Sequence, residues 1–275
     1  MIELPESYLL VNQINQVLKG KIIKDAEANH TDHAFAWYTG NPGDYKSKLT
    51  GKTISSADFY CGSVRIRADD MVLLISTPIR FHRQDEKLPQ KHQLYIGFED
   101  STSITCTIQM WGCMFCFKDG DPNGVPKYYV MHSGPTPLED EFSKEYFEGL
   151  LAKEEKLSSL TAKAFLATEQ RIQGFGNGVV QDILWTAKIH PKRKMSTLSD
   201  SEFNELYKAV KTIPADMLAK GGRDTEKDIF GNKGGYKTIL SKNTVGKPCP
   251  VCNSTIVKEA YLGGSIYYCP DCQRL

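Results

Sequence analysis

The sequence lacks a long apolar run, internal repeats and any strong excess of one charge. No stretch of the 275 residues approaches the roughly 18 consecutive apolar residues of a membrane-spanning helix, so neither a membrane span nor a membrane partner is expected. The opening MIELPESYLL has no basic segment before an apolar core, so a secretory signal peptide is not expected. The formal net charge is only +1, but it is unevenly distributed, since residues 188–194 read KIHPKRK. One face of such a protein can still attract a polyanion.

Cysteine is the most informative residue type that is present. Eight cysteines in a chain without a secretory signal indicate a reducing compartment, and a cytoplasmic location is expected. Four of them form two C-x-x-C pairs, Cys249 with Cys252 and Cys269 with Cys272, separated by sixteen residues. Two such turns supply the four thiolates of a closed tetrahedral zinc site, which leaves no open position for a substrate. The sequence thus predicts one structural zinc per chain; the alternative, two disulfides, would need a secreted protein.

A second group of cysteines has two interpretations. Cys113 and Cys116 repeat the C-x-x-C spacing near Cys106, which would suit another metal or redox site. The surrounding ITCTIQMWGCMFCF alternates and is rich in β-branched and aromatic residues, which predicts a strand. Residues three apart in a strand face opposite sides, so we favour buried structural cysteines.

The pattern along the chain predicts a mixed α+β protein of several domains. Residues 5–20 carry apolar side chains at helical spacing and predict an N-terminal helix. From residue 21 to about 129, short alternating runs separated by Gly, Asp and Pro predict an antiparallel β-sandwich or barrel. The predicted strands are IIKDAEA, FAWYTG, SVRIRA, MVLLIS, QLYIGF, ITCTIQMW and KYYVM. Residues 139–218 predict a series of helices, and residues 221–244 a glycine-rich connection long enough to be functional.

The turn QGFGNG at residues 173–178 lies between two predicted helices. Its glycines allow close approach of the backbone, and the N-terminus of the following helix presents N–H groups that suit an anion. Asn177 would add a side-chain donor. Phosphate binding is one interpretation of this turn, and a plain helix–helix connection is the other.

Taken together, several motifs resemble one family. The motifs, in order, are MIELPES, SGPTPLEDEF, KAFL before QGFGNGVVQDILWTAKIHP, the GG…GGY loop, and GKPC-x-x-C…C-x-x-CQ. Over essentially its full length, the chain resembles the formamidopyrimidine-DNA glycosylase / endonuclease VIII family. The resemblance implies an N-terminal helix and β-sandwich over residues 1–131, a linker over 132–145, a helix–two-turn–helix domain with a glycine-rich lesion loop over 146–240, and a zinc hairpin over 241–275. It also implies a kinked duplex whose damaged nucleotide is flipped out.

The same resemblance assigns roles to individual residues. Asn177 and Lys163 would contact a phosphate beside the lesion, together with the backbone of the turn at Gly176 and Gly178. Glu3 occupies the position of a glutamate that assists opening of the deoxyribose ring. From the residues alone, Arg223 and Lys227 in the glycine-rich loop are candidates for contact with a phosphate or the lesion, and a solvated loop charge is the favoured interpretation.

Other positions depart from the family pattern. The family exposes a proline amine after loss of its initiator Met, whereas Ile2 stands second here and is expected to prevent that removal. The Met1 amine is then the candidate nucleophile, displaced by up to about 3.5 Å, and a misplacement of ~1 Å can cost about a hundredfold in rate. Gly264 stands where the zinc hairpin of the family carries an arginine. The Arg-Phe pair that wedges into the duplex aligns with Met110 and Trp111, although a core or sheet-surface Trp is equally consistent.

Three functions follow from these residues. The first is a DNA N-glycosylase of base excision repair with an altered nucleophile and an open question of abasic-site lyase activity; its partner is duplex DNA with a damaged base or abasic site, and a monomer is expected. The second is a catalytically inactive protein that binds DNA lesions or abasic sites. A third would use the hairpin tyrosines to stack on other structured or single-stranded nucleic acid.

Overall fold

The chain folds into two compact units. A computed structural model describes residues 1–127 and 134–275. Within those residues the first unit comprises 1–2, 6–127 and 226–233, and the second comprises 3–5, 134–225 and 234–275. Most of the predicted strand at 127–131 and the predicted border at 131–132 lie outside the described residues, and the four predicted domain ranges stay a prediction. In the described part of the chain, no helix has the length and apolar character needed to cross a membrane.

The first unit is the predicted β-sandwich. Helix α1 (Leu4–Val17) directs Leu10 and Ile14, four residues apart, into its core. A short helix α2 (Tyr45–Leu49) also belongs to this unit. Its strands are β1 (Ile23–Ala28), β2 (Ala36–Trp37), β3 (Ile54–Tyr60), β4 (Ser63–Ala68), β5 (Met71–Ile75), β6 (Ile79–His82), β7 (Leu94–Phe98), β8 (Ser103–Cys106) and β9 (Gly112–Lys118).

These strands form two sheets around one core. The first sheet has the order β1-β7-β8-β6 and the second the order β2-β9-β5-β4-β3. Ile96 and Ile104 of the first sheet share the core with Ile66 and Leu73 of the second, as sandwich packing requires. All pairs are antiparallel except β2 with β9, where a two-residue edge strand runs parallel.

The cysteines of the sandwich are structural, as favoured from the sequence. Cys116 packs in the main core, whereas Cys113 belongs to a separate apolar cluster with Val72 and Phe115, so the two thiols lie on opposite faces of β9. The predicted continuous strand is interrupted at residues 107–111, which separate β8 from β9. Burial raises the pKa of Cys106 and of Cys116 to about 12, so both thiols stay protonated and unreactive.

The second unit begins with four helices: α3 (Lys144–Ala152), α4 (Ala162–Ala167), α5 (Asn177–Thr186) and α6 (Asp200–Ala219). The local sequence accounts for where three of them begin. The hydroxyls of Ser143 and Thr161 accept hydrogen bonds from the third residue of α3 and α4, and Ser199 forms a reciprocal capping box with Glu202 at α6. The fourth, α5, begins at the glycine turn, and its N-cap residue Gly176 has no side chain to cap it.

A β-hairpin completes the second unit. Strands β10 (Val257–Tyr261) and β11 (Gly264–Tyr268) pair antiparallel with Tyr261 opposite Gly264. The two residues between them, Leu262 and Gly263, have φ of 46° and 71°. Positive φ at both positions is typical of the two-residue turn that matches the twist of paired strands.

Candidate functional site

The four cysteines of the two C-x-x-C pairs meet at the base of the β10–β11 hairpin. Their sulfur atoms all lie within 4.8 Å of one another. Four sulfur donors at this separation fit a closed tetrahedral metal site, and this cluster can bind one metal ion.

Two glutamines join the hairpin and the cysteine cluster to the helices of the second unit. The side chain of Gln181, on α5, donates to the Ser265 carbonyl at 3.0 Å and accepts from the Tyr267 N–H at 3.1 Å. Gln273 accepts from the Cys269 N–H at 3.0 Å and donates to the Ile189 carbonyl at 2.9 Å. Gln181 therefore holds the hairpin against α5, the helix that follows the glycine turn, and Gln273 joins the cysteine cluster to the segment just after that helix.

The N-terminus of α5 holds an anion from the protein itself. One carboxylate oxygen of Glu3 accepts a hydrogen bond from the Gly178 N–H at 3.0 Å, and the other accepts from the Val179 N–H at 2.7 Å. Leu4 bonds back to the Gly174 carbonyl at 2.7 Å, which anchors Glu3 beside the turn. The sequence predicted an anion site here, but it assigned these N–H groups to a phosphate. In the structure they cap α5 with Glu3, as the helix dipole favours.

Glycine is required at this turn for space. A Cβ at Gly176 would lie 2.7 Å from the Glu3 carboxylate carbon. A Cβ at Gly178 would lie 1.7 Å from Nη1 of Arg223. The sequence predicted that these glycines allow a partner to approach the backbone closely. In the structure the groups that approach are the side chains of Glu3 and Arg223.

Arg223 is buried next to Glu3. Only 3% of its surface is exposed, and its Nη1 donates to Glu3 Oε2 at 3.2 Å. The interpretation of Arg223 as a solvated loop charge is therefore wrong, because the glycine-rich loop folds the guanidinium inward. The assignment of Arg223 to DNA stays a prediction.

Asn177 and Lys163, the two predicted phosphate contacts, have opposite environments. Asn177 is exposed at the first position of α5, and a Cβ at Gly264 would lie 2.3 Å from its Nδ2. Lys163 is buried, its ammonium donates to the Tyr261 carbonyl, and burial lowers its pKa. In the structure Lys163 thus holds the hairpin, while Asn177 faces solvent beside Gly264.

The remaining predicted residues belong to the first unit. The Ile2 N–H donates to the Ser76 carbonyl at 2.9 Å and the Ile2 side chain lies in the core, so the chain start is anchored. Trp111 is half-buried in the segment between β8 and β9, with its ring 5.6 Å from that of Trp37. It is thus a surface Trp with an exposed Met110 beside it. The nucleophile at Met1 and the wedge at Trp111 stay predictions.

Sequence reasoning missed Asp182 and Tyr236. Asp182 is fully buried and accepts hydrogen bonds from the N–H groups of Ile239 and Leu240, at 2.9 and 2.7 Å, and from the Tyr236 hydroxyl. Burial raises the pKa of Asp182 to about 6. An acidic residue within the apolar face of α5 was the available signal, since a buried carboxylate requires partners.

One other group of potential ligands is excluded by geometry. Glu27, His30 and His92 bring ligand atoms within 4.8 Å of one another. The two imidazole rings are stacked 4.2 Å apart and nearly parallel, with an interplanar angle of 4°. Parallel stacked rings cannot both direct an in-plane lone pair at one ion, so this arrangement is a ring stack.

The sequence is similar to those of known proteins. Residues 133–228 match the model of the formamidopyrimidine-DNA glycosylase H2TH domain. The chain is 25% identical over 285 residues to the formamidopyrimidine-DNA glycosylase of Bacillus cereus, covering 99% of both chains. It is 36% identical over 163 residues to that of Carboxydothermus hydrogenoformans, covering 58% of this chain and 60% of the relative.

The fold itself matches a solved structure. A complex of Lactococcus lactis Fpg with DNA containing an abasic site superposes with a TM-score of 0.84, at 23% identity, over 99% of this chain and 100% of that one. The likeness includes the sandwich, the helical domain and the hairpin with its cysteine cluster. The chain thus contains a helix–two-turn–helix domain of the formamidopyrimidine-DNA glycosylase type, is similar over its full length to glycosylases of that name, and shares the fold of the Lactococcus protein.

Proposed function

We propose that this protein binds duplex DNA that contains a damaged base and releases that base as a DNA N-glycosylase. The observation that carries the proposal is the Glu3 carboxylate, fixed by two N–H groups of α5 beside the exposed Asn177. Cleavage of an N-glycosidic bond develops positive charge on the sugar. A fixed carboxylate stabilises that charge and can accept a proton from an attacking group. The glycosylase names of the relatives and the abasic-site DNA in the Lactococcus complex support the same substrate class.

Within this proposal the two units supply different parts. Asn177 contacts a phosphate of the damaged strand, and the hairpin, held by one zinc ion on the four cysteines, keeps its surface in place. The zinc is structural, because all four positions of its tetrahedron are filled by sulfur. The Met1 amine is the candidate nucleophile for a lyase step, and Trp111 the candidate for filling the space left by a flipped base.

A second function is favoured by one specific observation. Both oxygens of Glu3 are already bonded, so the carboxylate also serves as a cap for α5. If Glu3 only caps the helix, the protein binds lesions or abasic sites without cleaving them.

Base release and binding separate these functions. Duplexes that each contain one oxidised, ring-opened or deaminated base are incubated with excess protein, and free base is measured alongside the dissociation constant. Glycosylase activity is expected as release of at least one base, lost in Glu3→Gln. Tight, lesion-dependent binding with no release from any duplex would contradict the enzyme and support the binding protein.

Borohydride trapping on an abasic-site duplex then tests the lyase step. A covalent adduct that maps to Met1 would support Schiff-base chemistry at the terminal amine. An adduct on an internal lysine would assign the nucleophile elsewhere. Base release without any adduct would mean that water attacks the sugar.

A further inference from the structure

The glycine-rich loop buries an arginine whose function is not explained by DNA contact. We propose that Arg223 is a positioning residue for Glu3: its guanidinium holds the carboxylate against α5 and does not itself touch DNA. What Glu3 does in turn rests on the proposed glycosylase function.

The contact geometry supports a structural link between the two charges. Arg223 Nη1 and the Val179 N–H both donate to Glu3 Oε2, at 3.2 and 2.7 Å. The side chains are 3% and 14% exposed for Arg223 and Glu3 respectively. A buried guanidinium needs a counter-charge, because an unpaired charge is costly to bury. Arg223 is therefore paired with Glu3, and little of its surface is left for a phosphate.

The loop is built to bring Arg223 to this position. Gly234 packs so closely on the segment before Arg223 that a Cβ there would lie 2.1 Å from the carbonyl group of Gly222. The N–H of Tyr236 donates to the Gly222 carbonyl at 3.0 Å, and the Asp224 N–H donates to the Tyr236 carbonyl at 2.9 Å. These bonds join the two glycine pairs of the GG…GGY motif into a closed loop. The motif thus fixes the backbone on both sides of Arg223.

A second carboxylate anchors the other end of the loop. Asp182, on α5, accepts from the Tyr236 hydroxyl and lies close enough to Arg223 for their charges to interact. The same helix therefore supplies the N–H groups that bind Glu3 and the carboxylate that fixes the loop carrying Arg223. Within the second unit, Arg223 and Tyr236 of the loop therefore form one network with Asp182 and Glu3.

The test compares Arg223→Gln with Arg223→Lys and with Lys237→Gln, an exposed charge change in the same loop. For each variant we would measure the dissociation constant for a duplex with an uncleavable abasic-site analogue, at several salt concentrations, and the single-turnover rate of base release. Arg223→Gln is expected to leave binding within about twofold and the salt slope unchanged, because it removes no phosphate contact. Base release is expected to fall by roughly a hundredfold, the cost of misplacing a reacting group by ~1 Å. Arg223→Lys should recover part of that rate, and Lys237→Gln should retain it.

Thermal unfolding of Glu3→Gln, Arg223→Gln and the double variant gives a readout that needs no activity. If the residues act as a pair, the double variant should lose far less stability than the sum of the single losses. Additive losses, or an Arg223→Gln variant whose salt slope falls by about one as for a lost phosphate contact, would overturn the inference. If the wild-type protein releases no base, the proposed function fails, and the binding and unfolding measurements alone decide whether Arg223 positions Glu3.

Discussion

Replacing Glu3 by Gln should destabilise the second unit strongly, although the side chains are nearly equal in size. Both carboxylate oxygens accept backbone N–H groups, and one also accepts from Arg223. A Gln amide has only one oxygen, so its NH₂ group would face one of these donors. An unsatisfied buried donor costs about 1–3 kcal/mol, and a buried ion pair that loses one partner costs about 3–5 kcal/mol. Since the two terms overlap, we expect a net loss of about 3–5 kcal/mol.

The assay is thermal unfolding followed by circular dichroism, with urea unfolding as a check. At ~3 °C per kcal/mol for a protein of this size, Tm should fall by roughly 10 °C. Glu205→Gln is the matched control, because Glu205 pairs with Lys208 on α6 and both side chains are more than half exposed. Such a surface pair contributes only about 0–1 kcal/mol. The same chemical change should therefore leave Tm almost unchanged at Glu205.

Equal Tm values for Glu3→Gln and Glu205→Gln would refute the assignment of Glu3 as a buried cap of α5. Base release by Glu3→Gln, measured well below its lowered Tm, distinguishes a capping role of Glu3 from a catalytic one. Folded Glu3→Gln protein that binds lesions but releases no base would indicate a chemical role for the carboxylate. Full activity of that folded fraction would restrict Glu3 to the cap.

Three further predictions concern the hairpin and its neighbours. Cys249→Ser should release the bound metal and unfold the hairpin, measured by metal content and limited proteolysis; a full metal complement would show that the cluster is not the site. Gly264→Arg, which restores the family arginine, should weaken abasic-site binding about tenfold, because a Cβ there would lie 2.3 Å from Asn177 Nδ2. Tighter binding by Gly264→Arg would show that Asn177 moves aside freely. Lys163→Met should lower the free energy of unfolding by about 1–3 kcal/mol, because it leaves the Tyr261 carbonyl without its ammonium donor. A normal Tm combined with a reduced salt slope of binding would instead indicate that Lys163 contacts phosphate.

Most elements of the fold that were predicted from the sequence have a pattern confined to a short segment of the chain. A few neighbouring residues are enough to predict the two C-x-x-C pairs, the capped helix from Asp200 to Ala219 and the alternating strands. Strands β3 and β6 were not predicted. β3 has three polar residues among its seven, and β6 is only four residues long and follows Pro78. Both are strands because neighbouring strands pair with them, and pairing partners distant in sequence leave no local periodicity.

The candidate site was harder to predict than the strands, because its residues also come from distant parts of the sequence. Glu3 and Arg223 are 220 positions apart, and nothing local to either residue indicates the other. The family resemblance assigned a role to Glu3, and the glycine spacing indicated either an anion site or a plain helix–helix connection. Neither could show that the anion is Glu3, because the N-terminus of a helix accepts a carboxylate and a phosphate on the same physical grounds.

Glu3 occupies the N-terminus of α5, so a DNA phosphate would need another donor at this turn. A phosphate that used the N–H groups of Gly178 and Val179 would have to displace Glu3 from both donors and break its ion pair with Arg223. Displacement is therefore costly, and the exposed amide of Asn177 is the donor at this turn that a phosphate can reach without it. Phosphate and carboxylate would then lie side by side, each on its own donors. In this arrangement DNA binding would leave Glu3 in place on its own hydrogen-bond donors.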